Sequence, residues 1–211
     1  MKLILIRHGQ TVWNTQMKTQ GRTDIMLDEI GRIQSEKLAE RVRTLKLRAV
    51  YSSPLSRAKE TAKLIADLHG LDVISHELLM ERDFGAWEGT PFKTLMEKYP
   101  DEVKSWEKDP FAYTPPDAEP LSKVLSRCVA FLDEVYKTYT IDDTVLAVGH
   151  SIPLRLMIAH SIGLSPLKIH SLRLDNAAYT ELKLRENYNI LTVFNDTEHL
   201  HQQAKITRGA E

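Results

Sequence analysis

A histidine and an arginine stand side by side at the end of a short apolar run near the start of the chain. Residues 3–6 are all Leu or Ile, and Arg7 and His8 follow them directly. This pattern is typical of a buried strand that ends in a loop. Open α/β sheets bind ligands at the carboxyl ends of their strands. An imidazole there can attack phosphorus, and a guanidinium can hold two phosphate oxygens, so the pair indicates phosphoryl chemistry.

Two later apolar runs end in side chains of the same kind. The run at 48–51 leads into a predicted helix that has Arg57 in its first turn, and the run at 143–149 leads into His150 and Ser151. Helix N-termini offer free N–H groups and partial positive charge, both of which suit phosphate. If the three strands are neighbours, two arginines, two histidines and two helix ends form a phosphate pocket.

Cleavage of a phosphate monoester also needs a proton for the departing alkoxide. A carboxylic acid in a water-poor pocket can supply that proton. The segment 80–89 carries three candidates, Glu81, Asp83 and Glu88. Spacing alone does not choose among them.

Alternating strands and helices predict an α/β fold, a three-layer α/β/α sandwich around a mostly parallel central sheet. The predicted strands are 2–6, 48–51, 72–75, 143–149, 170–174, 178–184 and 189–194, and the predicted helices are 29–46, 55–69, 94–108, 121–139 and 152–162. Ser53 and Pro54 are expected to cap and start the second of these helices.

The chain shows no internal repeat and no clear linker, so we expect a single domain over residues 1–211 with a small cap insertion at about 82–120. Residues 84–113 hold seven of the fifteen aromatic residues. This concentration indicates a packed cap whose inner face binds the leaving group. Glu119, in the Pro-rich stretch that follows, is either a solvated loop acid or a pocket contact.

Charge and cysteine content narrow the class of protein. The 28 Lys and Arg residues balance 29 Asp and Glu residues, which argues against a nucleic-acid or anionic-membrane surface. Cys128 is the only cysteine, so no intrachain disulfide can form. The apolar start is too short for a signal peptide or a membrane span. We expect a cytoplasmic protein without a membrane partner.

Motifs along the whole chain resemble those of the histidine phosphatase superfamily, which includes the cofactor-dependent phosphoglycerate mutases. Residues 7–11, Arg-His-Gly-Gln-Thr, resemble the family's Arg-His-Gly-Glu-Thr opening, with Gln10 in place of the glutamate. Arg57 and His150 match the second arginine and the second histidine, and Glu81 matches the acid.

The resemblance implies a role for each matching residue. His8 attacks the phosphoryl group to give a phosphohistidine, and Glu81 protonates the leaving oxygen and then activates the hydrolytic water. Arg7, Arg57 and His150 hold the phosphoryl oxygens. Further substrate contacts are implied for Asn14, Gln20, Gly21 and Ser151. No metal and no cofactor is implied.

The leading hypothesis is a metal-independent phosphomonoesterase that acts on a small phosphorylated metabolite. The alternatives are a mutase of the same family, a non-catalytic binding protein on the same fold, and a metal-dependent hydrolase that would use His8, His150 and the histidines at 199 and 201. Little room remains in 211 residues for the long cap of a mutase. A homodimer would be ordinary for the superfamily.

Two branches of the family compete for the substrate. The segments around residues 83–89 and 175–177 resemble α-ribazole phosphatases and broad-specificity phosphatases, which makes α-ribazole 5′-phosphate a candidate. Residues 117–120, Asp-Ala-Glu-Pro, depart from that branch's Gly-Gly-Glu-Ser. The carboxyl-terminal features also resemble metal-independent phosphoserine phosphatases, although Phe84 stands where that group is expected to carry a histidine.

Overall fold

The computed structural model describes residues 1–201, and its centre is one six-stranded sheet. The strands are β1 (Lys2–Arg7), β2 (Ala49–Ser52), β3 (Val73–Ser75), β4 (Thr144–Gly149), β5 (Tyr179–Lys183) and β6 (Ile190–Asp196). Their order across the sheet is β3-β2-β4-β1-β5-β6. The first four strands in that order run parallel to one another. Strand β5 is antiparallel to both of its neighbours, β1 and β6. The predicted mostly parallel sheet is confirmed.

Helices cover both faces of this sheet. They are α1 (Val12–Thr15), α2 (Glu29–Val42), α3 (Ser56–His69), α4 (Phe92–Lys98), α5 (Pro100–Lys108), α6 (Leu121–Thr138), α7 (Ser151–Ser161) and α8 (Glu198–His201). Alternate residues of β1 enter opposite cores: Leu3 and Leu5 pack with α6 and α7, and Ile4 and Ile6 pack with α2 and α3. Burial on both sides explains why the run is continuously apolar, and it gives the predicted three layers.

The strand register brings the chemical side chains to one edge of the sheet. Arg7, the last residue of β1, pairs with Gly149, the last residue of β4. Ser52, at the end of β2, pairs with Val148 on the other side of β4. The loops that carry His8, Arg57 and His150 therefore leave the sheet at neighbouring positions.

The excursion between β3 and α6 occupies the region for which the sequence predicts a cap. It contains α4, α5 and two short 3₁₀ turns, at Glu77–Leu79 and Gly85–Trp87. Its apolar side chains form a separate small core around Trp87, Leu95 and Val103. Among residues 1–201, no helix has both the length and the apolar character needed to cross a membrane.

Three local predictions are wrong. The predicted helix 94–108 is two helices, because Pro100 disfavours helical geometry in the residue before it, and Tyr99 leaves that geometry with φ −134° and ψ 55°. The predicted strand 170–174 alternates like a strand, but Pro166–Ser171 is a 3₁₀ segment and Leu172 N–H bonds locally to the Ile169 carbonyl. The predicted helix 29–46 ends at Val42.

Ser53 does not cap the helix that carries Arg57, contrary to prediction. Helix α3 begins at Ser56, whose N–H and hydroxyl donate to the Asp24 carboxylate at 2.8 and 2.7 Å. The Ser53 hydroxyl instead lies 2.8 Å from His150 Nε2. An acid from another loop therefore orders the start of this helix, and the serine contacts the second histidine.

Candidate active site

A cavity of about 460 Å³ opens at the edge of the sheet where β1, β2 and β4 end. Eight of the nine residues predicted from the sequence line it: Arg7, His8, Asn14, Gln20, Gly21, Arg57, Glu81 and Ser151. The ninth, His150, lies behind the wall, with its ring centroid 5.1 Å from that of His8. A larger cavity, about 580 Å³, lies beside Lys2 and Lys183 and brings none of these residues together.

The His8 imidazole is buried and held in one orientation. Its Nδ1 lies 2.7 Å from the Gly9 carbonyl, which can only accept, so Nδ1 carries a proton and Nε2 keeps its lone pair. Asn176 Nδ2 donates to the His8 carbonyl at 3.0 Å and steadies the backbone. Burial, Arg57 and Arg7 together hold the pKa of His8 well below its usual value. The ring is therefore neutral and nucleophilic at neutral pH.

Two arginines flank His8 and keep unused donors. Arg7 donates to the Leu174 carbonyl at 2.6 Å, and Arg57 donates to the carbonyls of Gly21 and Thr23 at 2.7 and 2.9 Å. The Nε of each guanidinium is buried and has no hydrogen-bond partner among residues 1–201. Burial lowers the pKa of both guanidinium groups, that of Arg7 to about 10, and an arginine side chain stays charged at neutral pH. Charged donors without acceptors beside a neutral imidazole suit a dianionic phosphoryl group.

His150 is fully buried and has a different environment from His8. Its Nε2 contacts the Ser53 hydroxyl, and its buried Nδ1 has no partner in the described part of the chain. Burial, together with Arg57 and His8, holds the pKa of His150 well below its usual value. Two neutral histidines therefore lie next to two cationic arginines.

Only one of the three candidate acids reaches the cavity. Glu81 lines it with 7 % of its surface exposed, and burial raises its pKa against the opposing effects of a backbone hydrogen bond and nearby arginines. Asp83 accepts from Gly85 N–H at 2.8 Å, and Glu88 accepts from the N–H groups of Arg22 and Thr23. The last two acids therefore order loops, and Glu81 alone is placed to exchange protons with a bound ester.

The loop that carries Gln20 and Gly21 is held against the cavity by Glu88. Burial alone would raise the pKa of Glu88, but hydrogen bonds from Thr23, Arg22 and Phe84 hold it below its usual value. Gly21 has φ +58°, and the space that a Cβ would need is filled by the Glu88 carboxylate. A side chain at this position would displace the loop, which explains the glycine.

Asn14 presents its amide N–H donors to the cavity because its oxygen is already used. Asn14 Oδ1 accepts from the Thr11 N–H at 3.0 Å, in the capping box that starts α1, and from Asn176 Nδ2 at 3.3 Å. This arrangement fixes which end of the amide faces the substrate. A donor at this position suits a phosphoryl oxygen.

The sequence prediction missed two charged residues in the cavity wall, Lys18 and Arg155, and it did not say which four of the seven cap aromatics line the cavity. Arg155 lies one helical turn after Ser151 on α7, and the spacing alone could have indicated it. Its guanidinium has no hydrogen bond to residues 1–201, and its Nε is buried. The aromatic wall consists of Phe84, Trp87, Phe92 and Trp106.

The tail histidines lie apart from this cavity. His199 Nδ1 lies 3.2 Å from Arg41 Nη1, and burial lowers the pKa of His199 to about 4. Within the part of the chain that the structure describes, no three His, Cys, Asp or Glu side chains are placed to hold a metal ion together.

Acid is expected to destabilise the fold through the buried histidines. In the unfolded chain His8 and His150 titrate near pH 6.5, whereas in the folded protein their pKa values lie well below this. Below about pH 6.5 the unfolded state binds more protons, so the free energy of unfolding falls by up to about 1.4 kcal/mol per pH unit for each histidine. This stability is present above about pH 6.5 and is lost as the pH falls toward the folded pKa values.

Urea unfolding at about pH 7.5 and about pH 5.5 measures this effect. His150→Gln should lose less free energy of unfolding between the two pH values than the unmodified protein does. An equal loss in both proteins would show that His150 is not held neutral by the fold.

An imidazole and two guanidinium groups at the ends of parallel strands are typical of an α/β protein that acts on phosphate esters. The family model of the histidine phosphatase superfamily (branch 1) matches residues 3–197. The chain belongs to this superfamily and is an enzyme of the phosphoric monoester hydrolase class.

Individual relatives match over nearly the whole chain. Phosphoserine phosphatase 1 of Hydrogenobacter thermophilus is 36 % identical and aligns with 95 % of this chain and 94 % of its own. The solved phosphoserine phosphatase of Entamoeba histolytica is 31 % identical, with a TM-score of 0.83 over 94 % of this chain and 98 % of its own. The α-ribazole phosphatase of Shigella flexneri is 27 % identical, with a TM-score of 0.83 over 93 % and 97 %.

Proposed function

We propose that this protein is a metal-independent phosphomonoesterase that hydrolyses a small phosphorylated metabolite through a phosphohistidine on His8. The observation that carries the proposal is the state of the His8 ring. Its proton is fixed on Nδ1 by the Gly9 carbonyl, and its Nε2 has no hydrogen bond to residues 1–201 and lies in a cavity with Arg7 and Arg57. A neutral imidazole in a cationic cavity can attack a phosphoryl group without first losing a proton.

The reaction then follows in two displacements. The Nε2 lone pair of His8 forms a bond to phosphorus as the ester P–O bond breaks, and the Glu81 carboxylic acid gives its proton to the departing oxygen. Water then attacks the phosphohistidine, the Glu81 carboxylate takes a proton from that water, and the P–N bond breaks to restore His8. Arg7, Arg57 and the Asn14 amide hold the phosphoryl oxygens as charge builds on them.

The test is hydrolysis of p-nitrophenyl phosphate by the purified protein in excess EDTA. Activity should survive the chelator, because every group in the two displacements is a side chain or water. Activity that EDTA abolishes and an added divalent metal restores would overturn the metal-free mechanism. Absence of any phosphatase activity would favour the non-catalytic alternative.

Replacing Glu81 by glutamine should lower kcat/KM most for substrates whose leaving oxygen needs a proton. An alkyl oxygen leaves poorly as an alkoxide, so Glu81→Gln is expected to lower kcat/KM for an alkyl phosphate by about 10²- to 10⁴-fold. p-Nitrophenolate leaves without a proton, so the loss with that substrate should be much smaller. Asp83→Asn is the matched control, because Asp83 lies two residues away and caps Gly85 N–H. Equal losses with both substrates would contradict the acid role.

The walls of the cavity favour a leaving group with a flat apolar body. Phe84, Trp87, Phe92 and Trp106 provide aromatic faces on which a ring can stack. This supports α-ribazole 5′-phosphate, an aromatic nucleoside phosphate, as the substrate. The structural similarity to the Shigella flexneri α-ribazole phosphatase supports the same candidate.

A second candidate is phosphoserine, and a different observation favours it. The Arg155 guanidinium and the buried Trp106 Nε1 are donors that find no acceptor within residues 1–201, and a carboxylate on the leaving group would satisfy them. The similarity to phosphoserine phosphatases of two organisms agrees with this candidate. Phe84 is the feature against it, since a histidine is expected at that position.

Steady-state kinetics with α-ribazole 5′-phosphate, O-phospho-L-serine and 3-phosphoglycerate decides among the candidates. Arg155→Met should lower kcat/KM by about 10²-fold for a substrate that carries a carboxylate, and should change it little for α-ribazole 5′-phosphate. Conversion of 3-phosphoglycerate to its 2-isomer without release of phosphate would instead indicate mutase-type transfer. An equal effect of Arg155→Met on all substrates would place Arg155 in phosphoryl binding.

A further inference from the structure

Arg127 holds the backbone of the loop that ends at Glu81 through hydrogen bonds to its carbonyls. It lies on α6, and its side chain is almost entirely buried. Its Nη1 donates to the carbonyls of Leu78 and Met80 at 2.8 and 2.6 Å, and its Nη2 donates to the carbonyl of Glu81 at 3.1 Å. One side chain therefore fixes three carbonyls in four successive residues.

The remaining donors of Arg127 are held by Glu119. The Glu119 carboxylate accepts from Arg127 Nε at 3.0 Å and from Nη2 at 3.1 Å. All five N–H groups of this guanidinium thus have an acceptor within the protein. Arg127 also does not line the cavity. It has no donor left for a substrate, in contrast to Arg155.

Glu119 links Arg127 to the substrate-contact loop and to the residues that follow Glu81. Its carboxylate also accepts from Arg22 Nη2 at 3.2 Å, in the loop that carries the predicted substrate contacts. Its backbone carbonyl accepts from Arg82 Nε, and its N–H donates to the Asp83 carbonyl, each at 2.9 Å. The two residues that follow Glu81 are therefore bound to the same acid that holds Arg127.

We propose that Arg127 is a positioning residue for the reaction: it fixes residues 78–81 so that the Glu81 carboxyl group meets the leaving oxygen, and Glu119 holds Arg127 in place. The inference rests on the proposed role of Glu81. A misplacement of about 1 Å is enough to impair proton transfer by a large factor. Lysine cannot take over, because it has three donors on one nitrogen and Arg127 uses five on three.

The test is a ratio of two rates in Arg127→Met and Arg127→Lys. kcat/KM is measured for p-nitrophenyl phosphate and for whichever of α-ribazole 5′-phosphate and O-phospho-L-serine the unmodified protein hydrolyses faster. The ratio of the alkyl to the p-nitrophenyl value should fall roughly tenfold or more in both variants. Because both rates scale with the amount of folded enzyme, a loss of stability leaves the ratio unchanged.

Two further variants test the interpretation. Glu119→Gln should lower the same ratio by a smaller factor, since Arg127 keeps its three carbonyl partners. Arg41→Gln should leave the ratio unchanged, because Arg41 pairs with Asp196 outside the cavity. The alkaline limb of the kcat/KM profile should also move to higher pH in Arg127→Met, because Glu81 must be protonated to act as the acid and Arg127 lowers the pKa of Glu81.

The outcomes separate this inference from the function on which it rests. A ratio that falls in Glu81→Gln but stays constant in Arg127→Met would overturn the positioning role alone. A ratio that stays constant in Glu81→Gln would overturn the proposed acid, and the inference with it.

Discussion

His8→Gln is expected to lower kcat/KM for every substrate by on the order of 10⁵-fold. Glutamine has about the size of the imidazole, but its amide cannot displace an alkoxide from phosphorus. The arginines and Glu81 would still bind the ester, so KM should change far less than kcat. The loss should be as large for p-nitrophenyl phosphate as for an alkyl phosphate, because nucleophilic attack precedes either departure.

The matched control is His76→Gln. His76 is a partly buried histidine beside Glu134 that does not line the cavity, so this variant should keep most of the activity. If His8→Gln retained more than about a tenth of the activity, water would be the nucleophile and His8 only a ligand of the phosphoryl group.

Arg57→Met is expected to produce the second largest loss, about 10³- to 10⁴-fold in kcat/KM. Arg57 is fully buried, and it both faces the cavity and holds the carbonyls of Gly21 and Thr23. Its removal takes away a charge that stabilises the transition state and also releases the substrate loop. Inorganic phosphate, used as a competitive inhibitor, should bind Arg57→Met much more weakly.

Arg57→Lys separates the two contributions of this side chain. Lysine restores the charge but not the planar fork that reaches two carbonyls and a phosphoryl oxygen together, so it should recover only part of the activity. Arg32→Gln is the surface control, since Arg32 pairs with Glu60 outside the cavity. Full activity in Arg57→Lys would mean that only the charge matters.

The chemistry of the site could be predicted from the sequence because strand ends are easy to find. Arg7, His8 and His150 each follow an apolar run, and parallel strands bring their carboxyl ends to one edge. The choice of Glu81 over Asp83 and Glu88 could not be made from spacing. All three carboxylates accept backbone N–H groups, and only Glu81 also lines the cavity. That difference depends on tertiary packing, which the spacing of the acids does not reveal.

The positioning residues could not be identified from the sequence, because their role also depends on tertiary contacts. Arg127 has the spacing of an ordinary charged residue on α6, and its partners are carbonyls, which every residue carries. Glu119 was expected to be either a solvated loop acid or a pocket contact. Instead its carboxylate pairs with two arginines, Arg22 and Arg127, and does not line the cavity. Arg155 was within reach, because it stands one turn after Ser151 on the same helix.

The prediction of local structure was wrong where the apolar spacing was ambiguous. Residues 170–174 alternate as a strand does, but their backbone bonds close a turn that starts near Pro166. A continuous helix at 94–108 fits the apolar pattern, and only Pro100 breaks it. Neither error affects the predicted catalytic residues, which come from the ends of β1, β2 and β4 and from the loop at Glu81. The helix error does bear on the cavity wall, because Trp106 lies on α5.

The most direct test of the account is to trap the intermediate. The enzyme is mixed with a ³²P-labelled substrate, quenched in alkali within milliseconds and digested, and the labelled peptide is sequenced by mass spectrometry. The account predicts a phosphate that is stable in alkali, labile in acid and attached to His8, and that is absent from His8→Gln. Turnover without a labelled enzyme, or a label on any other residue, would contradict it.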